Sequence, residues 1–311
     1  MQFVSIPDKG NNEMKKFTMV VLIKQVPDTK NITGQAMKED GTVNRAALPA
    51  VFNPEDLNAL EMALQIKEQY GGTVNVISMG PPSAVTVLKE SLYRGADHVY
   101  LLSDRKLAGS DTLATSFALK QAIRTKIPDF NIVLCGRQAI DGDTAQVGPQ
   151  TAEKLDIAQL TYVERIEHLD EKTIKVRRVI ESGSEIVEAD LPVLLTVTNT
   201  ANEPRPFIAK KLLKYRKAAC DFDLPILLPR YPGFSSADAL RANLKSRGLY
   251  IEMWGTDDIK ANADEVGFAG SPTMVKKIES ITLTGSGFKQ VEPTEHGIKE
   301  FVAELIEDHT W

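Results

Sequence analysis

Four short apolar runs alternate with three longer helical runs over the first 136 residues, and this alternation constrains the fold more than any other feature of the chain. The strands read as 17–23, "TVNVISMG", "HVYLLSD" and "FNIVLCG"; the helices read as "NPEDLNALEMALQIKEQYGG", "PSAVTVLKESLYRG" and "SDTLATSFALKQAIRTK". Units of this kind demand a parallel sheet with right-handed crossovers, because parallel neighbours need a helix-length return. The first helix carries its own signals. Asn53 is a candidate N-cap, Pro54 occupies the first helical position, and acids fill the first turn. Leu57, Leu60, Ala63 and Leu64 form an inward stripe, and Gly71 ends it. The expected class is α/β, a doubly wound, Rossmann-like sheet of the adenine nucleotide-binding type.

After residue 156 the pattern changes to antiparallel strands, with a hairpin turn at Gly183 and a buried strand at Val193–Val197. The proline-rich "DLPILLPRYPGFSS" reads as a linker, followed by a short helix near 236–247 and a last helix from about Thr294. Ile298, Phe301, Val302, Leu305 and Ile306 recur there at helical spacing. That stripe either packs on its own domain or covers a partner subunit. The expected organisation is an extension at 1–13, a nucleotide-binding domain at 14–218, and a C-terminal arm and helix at 219–311 that contacts a partner.

A chain of 311 residues, 42% hydrophobic and 25% charged, can bury a full core. Its net charge of -5 offers no general field for nucleic acid. No apolar run is long enough to cross a membrane, and residues 1–16 lack the apolar core of a signal peptide, so the expected compartment is the cytoplasm. Cys135 and Cys220 cannot supply a four-thiolate metal site, and His98, His168, His296 and His309 lie far apart with no nucleophile motif beside them. Neither metal chemistry nor a catalytic acid or base is expected in this chain.

Ligands of open parallel sheets lie beyond the carboxyl ends of the strands, where helix N-termini offer free N–H groups. Candidate segments are "LIKQVPDT", "SMGPPS" and "CGRQAIDGDTAQVGP", with the "NPED" helix start facing the same region. None is a Walker loop or a G-x-G-x-x-G dinucleotide motif. Asp141 and Asp143 would repel an adjacent phosphate, so at least one is expected to accept from ribose hydroxyls or turn amides. Thr144, Gln146 and the amides through Gly148 are placed to donate to a phosphate at a helix start. Gly136 and Gly142 are expected to let the backbone approach a ligand closely.

"IKQVPDT" at 23–29, "NPED" at 53–56, "SMGP" at 78–81, "GRQAIDGDTAQVGP" at 136–149 and "ANEPR" at 201–205 occur in that order. Together with "VRRVIESGSEIVEADLPVLLT" they resemble the beta subunit of electron transfer flavoprotein over about residues 14–217. One departure is Ser182, where glycine or an acid is usual. The resemblance implies pairing with an alpha subunit that holds one FAD, while the beta subunit holds either structural AMP or a second FAD. The cofactor-binding positions it carries over are Leu22, Asn53, Pro54, Glu55, Asp56, Met79 and the loop from Ile132 to Pro149. Within that loop they are Cys135, Gly136, Arg137, Gln138, Ala139, Asp141, Gly142, Asp143, Thr144, Gln146, Val147 and Gly148.

The wording "DGDTAQVGP" is similar to that of electron-bifurcating members, since AMP-binding members carry bulkier residues where Gly142 and Thr144 stand. This implies NADH as hydride donor to the FAD of this chain. One electron would then go to ferredoxin, and one through the alpha-subunit FAD to an acyl-CoA dehydrogenase-like or other flavin dehydrogenase. The resemblance also implies that this dehydrogenase docks on "ANEPRPFIAKKLLKYRKAA". Asn202, Glu203, Arg205, Lys210, Lys211, Leu212, Leu213 and Lys214 are the candidate contacts, beside Arg216 and Lys217. A leucine anchor that the mitochondrial-type pattern places near Ala209 is missing, which implies a different kind of dehydrogenase. Two alternatives stay open: a conventional subunit with AMP, and a regulatory nucleotide-binding module similar to the universal stress proteins.

Overall fold

The computed structural model describes residues 17–28, 48–273 and 290–307. Chain entry is through β1 (Phe17–Ile23), followed by an antiparallel ribbon of β2 (Gln25–Pro27) and β3 (Ala50–Phe52). The predicted alternation then appears in full as α1 (Pro54–Tyr70), β4 (Gly72–Met79), α2 (Val85–Arg94), β5 (His98–Leu102), α3 (Thr112–Lys126), β6 (Ile132–Gly136) and α4 (Val147–Leu155). Next come β7 (Ala158–Leu169), β8 (Thr173–Ile180), β9 (Gly183–Asp190) and β10 (Val193–Val197), then α5 (Ala209–Tyr215), α6 (Leu224–Leu227), α7 (Ala237–Ser246), β11 (Glu252–Trp254) and α8 (Glu295–Glu307).

Nine strands make one sheet in the order β11-β5-β4-β1-β6-β10-β7-β8-β9. All neighbours are parallel from β11 to β7, and β7, β8 and β9 extend the sheet as antiparallel neighbours. Period-two alternation divides β1 between two cores. Met19, Val21 and Ile23 pack with Leu60, Ala63 and Leu64 of α1, whereas Val20 and Leu22 pack with Ala118 and Ala122 of α3 and Ala152 and Leu155 of α4. Full burial of a leucine such as Leu60 contributes roughly 1.5–3 kcal/mol. The chain moves from β1 outward through β4 and β5, then returns to β6 on the other side. The order therefore reverses between β1 and β6, and a crevice opens at their carboxyl ends.

The segment after residue 218, expected to leave the sheet, folds back on it. Pro225 and Pro229 sit at the starts of short helical turns rather than in an extended linker. Leu224 joins Ala219, Leu240, Leu244 and Leu249 in a small core of their own. β11 then adds to the sheet beside β5, with Trp254 stacked on Tyr100 at 4.2 Å between ring centroids. On α8 the expected stripe stays largely uncovered, with Ile298, Phe301 and Ile306 at 54%, 41% and 56% exposure. The expected extension at 1–13 lies outside the described residues.

Residues 202–205 are clasped to α1. Asn58 Nδ2 donates to the Asn202 carbonyl at 2.7 Å, and Asn202 Nδ2 donates back to the Asn58 carbonyl at 3.0 Å. Arg205 donates to both oxygens of Glu61 at 2.7 and 2.9 Å and reaches Glu68 as well. Glu61 keeps only 7% of its side chain exposed and Arg205 keeps 21%. Arg205→Ala should therefore strand a buried carboxylate and cost about 2–4 kcal/mol, somewhat less than a fully buried pair because Arg205 keeps some contact with water. Urea unfolding checks this; a loss under about 1 kcal/mol would mean that the clasp carries little stability.

Candidate functional site

At the crevice between β1 and β6, the first turn of α1 turns its polar side chains toward the strand ends. Asp56 is buried and accepts two backbone N–H groups, from Lys24 just past β1 at 2.8 Å and from Gly136 at the end of β6 at 2.9 Å. Glu55 accepts the N–H of Gln138 at 2.9 Å and pairs with Arg137 at 3.0 Å. Asn53 stands at the N-cap position, as predicted, yet its side chain does not cap the helix. It turns instead to the loop after β6, donating to the Gln138 carbonyl at 2.9 Å and accepting from Ile140 N–H at 3.1 Å. Three side chains of "NPED" thus fix the loop's root, with Pro54 preset for the helix start.

Beyond Ile140 the loop leaves this root. Lys24 closes on both oxygens of Asp141 at 2.7 and 2.8 Å, neutralising a charge that would otherwise repel an anion. The N–H groups of Gly142 and Asp143 donate to the Ala139 carbonyl, and Gln138 donates to Asp143 at 3.0 Å. Asp143 and Ala145 carry positive φ of 50° and 53°, the left-handed region that residues other than glycine enter at some cost. Thr144 is exposed, and Gln146 accepts from Thr112 at 2.9 Å. α4 then starts at Val147. The amides of Val147 and Gly148 have no partner within the helix, and Pro149 has none to leave over.

The two glycines expected to admit a ligand differ. A Cβ on Gly136 would lie 2.6 Å from Asp56 Oδ1 and 2.7 Å from the Glu55 carbonyl carbon, so the close neighbour is α1 and not a ligand. A Cβ on Gly142 meets nothing within 4 Å, which leaves open space at the loop tip. Gly148 is needed for packing, since a Cβ there would sit 2.8 Å from Cys135 Sγ.

Leu22, Cys135 and Met79 gather on the α3–α4 face near the carboxyl edge. Cys135 is buried, and burial pushes its thiol far above the usual range. Ile132 does not belong to this group. It opens β6, paired with Met19 and Val193 at the opposite end of the strand, and is buried in the α1-side core. Ser78, missed by sequence reasoning, is buried at the carboxyl end of β4 with no partner for its hydroxyl. The signal was there, because Ser78 opens the candidate segment "SMGPPS", of which only Met79 was singled out.

The expected docking residues also separate. Asn202 and Arg205 are committed to the clasp on α1, and Lys211 donates to the Gly95 carbonyl at 3.2 Å, at the end of α2. Leu212 is half-buried. Glu203, Lys210, Leu213 and Lys214 are exposed, together with Phe207 and Ile208, which the sequence reading did not single out. Phe207 is held under the Arg94 guanidinium at 4.3 Å.

Among the described residues no helix is long and apolar enough to cross a membrane. The family model for the electron transfer flavoprotein domain matches residues 40–220. The electron transfer flavoprotein subunit beta of Clostridium acetobutylicum is 40% identical over 291 residues, covering 94% of this chain and 98% of that protein. Its counterpart from Megasphaera elsdenii is 41% identical over 296 residues, 93% and 97% of the two chains. Caffeyl-CoA reductase-Etf complex subunit CarD of Acetobacterium woodii is 39% identical over 270 residues, 86% and 90% of the two.

Burial is the main influence on Asp56 and pushes its carboxyl from 3.8 up to about 7, against the two backbone donors, Asn53 and the Lys24 charge. The unfolded chain therefore releases this proton first as pH rises. Stability from Asp56 is fully present below about pH 4 and falls by up to a few kcal/mol on approaching pH 7, then levels. Asp56→Asn should be less stable throughout, because its amide would face one of the two N–H donors, and should lose this part of the slope. Urea midpoints of both proteins from pH 4 to 8 check this; an unchanged slope in Asp56→Asn would rule out Asp56 as the titrating group.

Proposed function

The chain belongs to the beta-subunit family of electron transfer flavoproteins, and from that premise we propose that its loop after β6 holds FAD in an electron-bifurcating alpha–beta pair. Membership sets aside the regulatory-module alternative. The carrying observation is the open space beside Gly142, next to exposed Thr144, at the crevice where the strand order reverses. When bound, the cofactor supplies hydride acceptance from NADH and one-electron transfer to ferredoxin and to the alpha-subunit FAD.

The residues of this chain bind and orient. Free N–H groups of Val147 and Gly148 face an anion at the α4 start, with Thr144 as an added donor. Lys24 cancels the charge of Asp141, so the loop tolerates a diphosphate nearby. Asn53, Glu55 and Asp56 keep the loop's root rigid, which fixes where the tip can grip. Leu22 and Met79 offer apolar contact at the same edge. No residue is assigned proton transfer.

The partner dehydrogenase is proposed to dock on the exposed part of 203–214, with Phe207, Ile208 and Leu213 as apolar contacts and Lys210 and Lys214 as charges. A reductase partner is in keeping with the CarD relative, named as a subunit of a reductase-Etf complex. α8, with its uncovered stripe, is proposed to lie against the alpha subunit.

Flavin and nucleotide extracted from the purified pair should give two FAD, with one bleached by NADH. One FAD with one AMP would overturn the reading. Gly142→Trp should fold with an unchanged unfolding midpoint yet lose about half of the FAD, because the indole fills the open space beside Gly142; full retention would move the site elsewhere. Lys210→Glu should slow electron transfer to the dehydrogenase several-fold while NADH bleaching stays as before, and stopped-flow absorbance separates the two steps.

A further inference from the structure

At the opposite end of the sheet from the loop lies a groove of about 430 Å³ between α5, α7 and the first residues of β5 and β11. Its size falls in the range of ligand clefts. Lys214 and Lys245 line it, each lying over the ring of a neighbouring tyrosine, Tyr215 at 4.6 Å and Tyr250 at 4.8 Å. The Lys214 ammonium donates to the Tyr215 hydroxyl at 3.2 Å, and among the described residues neither lysine forms an ion pair with a carboxylate, nor do Lys210, Lys217 and Arg247 nearby in the sequence. This concentration of unpaired cations occurs in a chain whose net charge is -5. Tyr100, Tyr215 and Tyr250 bring aromatic rings into the same lining.

The acids on its walls are engaged. Asp97 takes the Lys67 ammonium at 2.5 Å and the Val74 N–H at 2.9 Å, and Glu252 accepts from the Trp254 indole at 3.3 Å. Those carboxylates still oppose a dense polyanion such as a phosphate backbone. Carboxylate side chains spaced along a peptide can instead reach the two lysines while the chain between them rests on the rings.

We propose that this groove takes an extended acidic segment of a partner protein. It adjoins the proposed docking stretch, with which it shares Lys214, and extends that contact onto α7 and the first residues of β5 and β11. The choice of a protein as occupant rests on that docking reading, while the nature of the bound cofactor has no bearing on it.

The test is fluorescence anisotropy of the intact alpha–beta pair with a fluorescein-labelled decapeptide of alternating glutamate and serine. Binding should saturate and weaken at least tenfold between about 50 and 300 mM salt, as screening of exposed charges requires. Lys245→Glu should weaken it at least tenfold, Lys245→Gln by less, and Lys172→Glu on the distant β7–β8 hairpin should leave it unchanged. Electron transfer to the dehydrogenase, with and without Lys210→Glu, measured on the same preparation tells a failure here from a failure of the docking reading. Absent saturation, equal weakening by Lys172→Glu, or tighter binding of a labelled ten-nucleotide thymidine strand would each overturn the proposal.

Discussion

The buried carboxylate of Asp56 is the constraint on which the crevice depends. Its two oxygens take the N–H groups of Lys24 and Gly136, the points at which β1 and β6 give out and their ladders stop. Without a partner, those buried donors would each cost about 1–3 kcal/mol. The two oxygens of one carboxyl group meet both at once, which the amide of asparagine, with a single oxygen, does not. The expense is desolvation, visible in the upward push of its pKa. The fold accepts this locally destabilising group because it sets the spacing of two strands and a helix start where the chain reverses direction across the sheet.

From this follows a division of the loop into a rigid root and an open tip. Residues 136–140 are held by Asp56, Glu55 and Asn53, while 141–146 are tied by an exposed pair with Lys24 and by contacts within the turn. Exposed ion pairs contribute little stability. The tip can therefore change its side chains without disturbing the sheet, whereas the root cannot. Under the proposed reading, the ligand is then chosen by bulk at positions such as Gly142, where added atoms meet nothing of the chain itself.

Much of this was legible in the sequence, because parallel-sheet architecture leaves a local signature: buried apolar runs, capped helices and turn residues recur at short range. β10 at Val193–Val197 and the hairpin before Gly183 were read on that basis. What escaped depends on long-range pairing. Asn53 looks like a cap, but its partners lie 85 and 87 residues away. Gly136 looks like an opening for ligand until α1 is seen to fill it. Arg205 looks like a surface cation in a basic segment, yet its partner Glu61 is 144 residues earlier. The prolines of 225–232 carry the composition of a linker, and only the packing of Leu224 against α7 distinguishes a folded return from an arm.

α1 joins these observations into one mechanical unit. Its first turn holds the loop root, while Asn58, Glu61 and Glu68 further along hold residues 202–205. Seventeen residues of helix, about 25 Å, separate its ends, and its interior is buried against β1, β4 and β6. A helix so packed does not bend under thermal forces, since interiors at crystal-like density transmit strain rather than absorb it. The root of the loop after β6 and residues 202–205 therefore keep a fixed separation. Any rearrangement of the loop root relative to residues 202–205 must move this whole unit, and the sites of yielding are to be sought where α1 has no hold, in the exposed stretch from Phe207 onward and in α8.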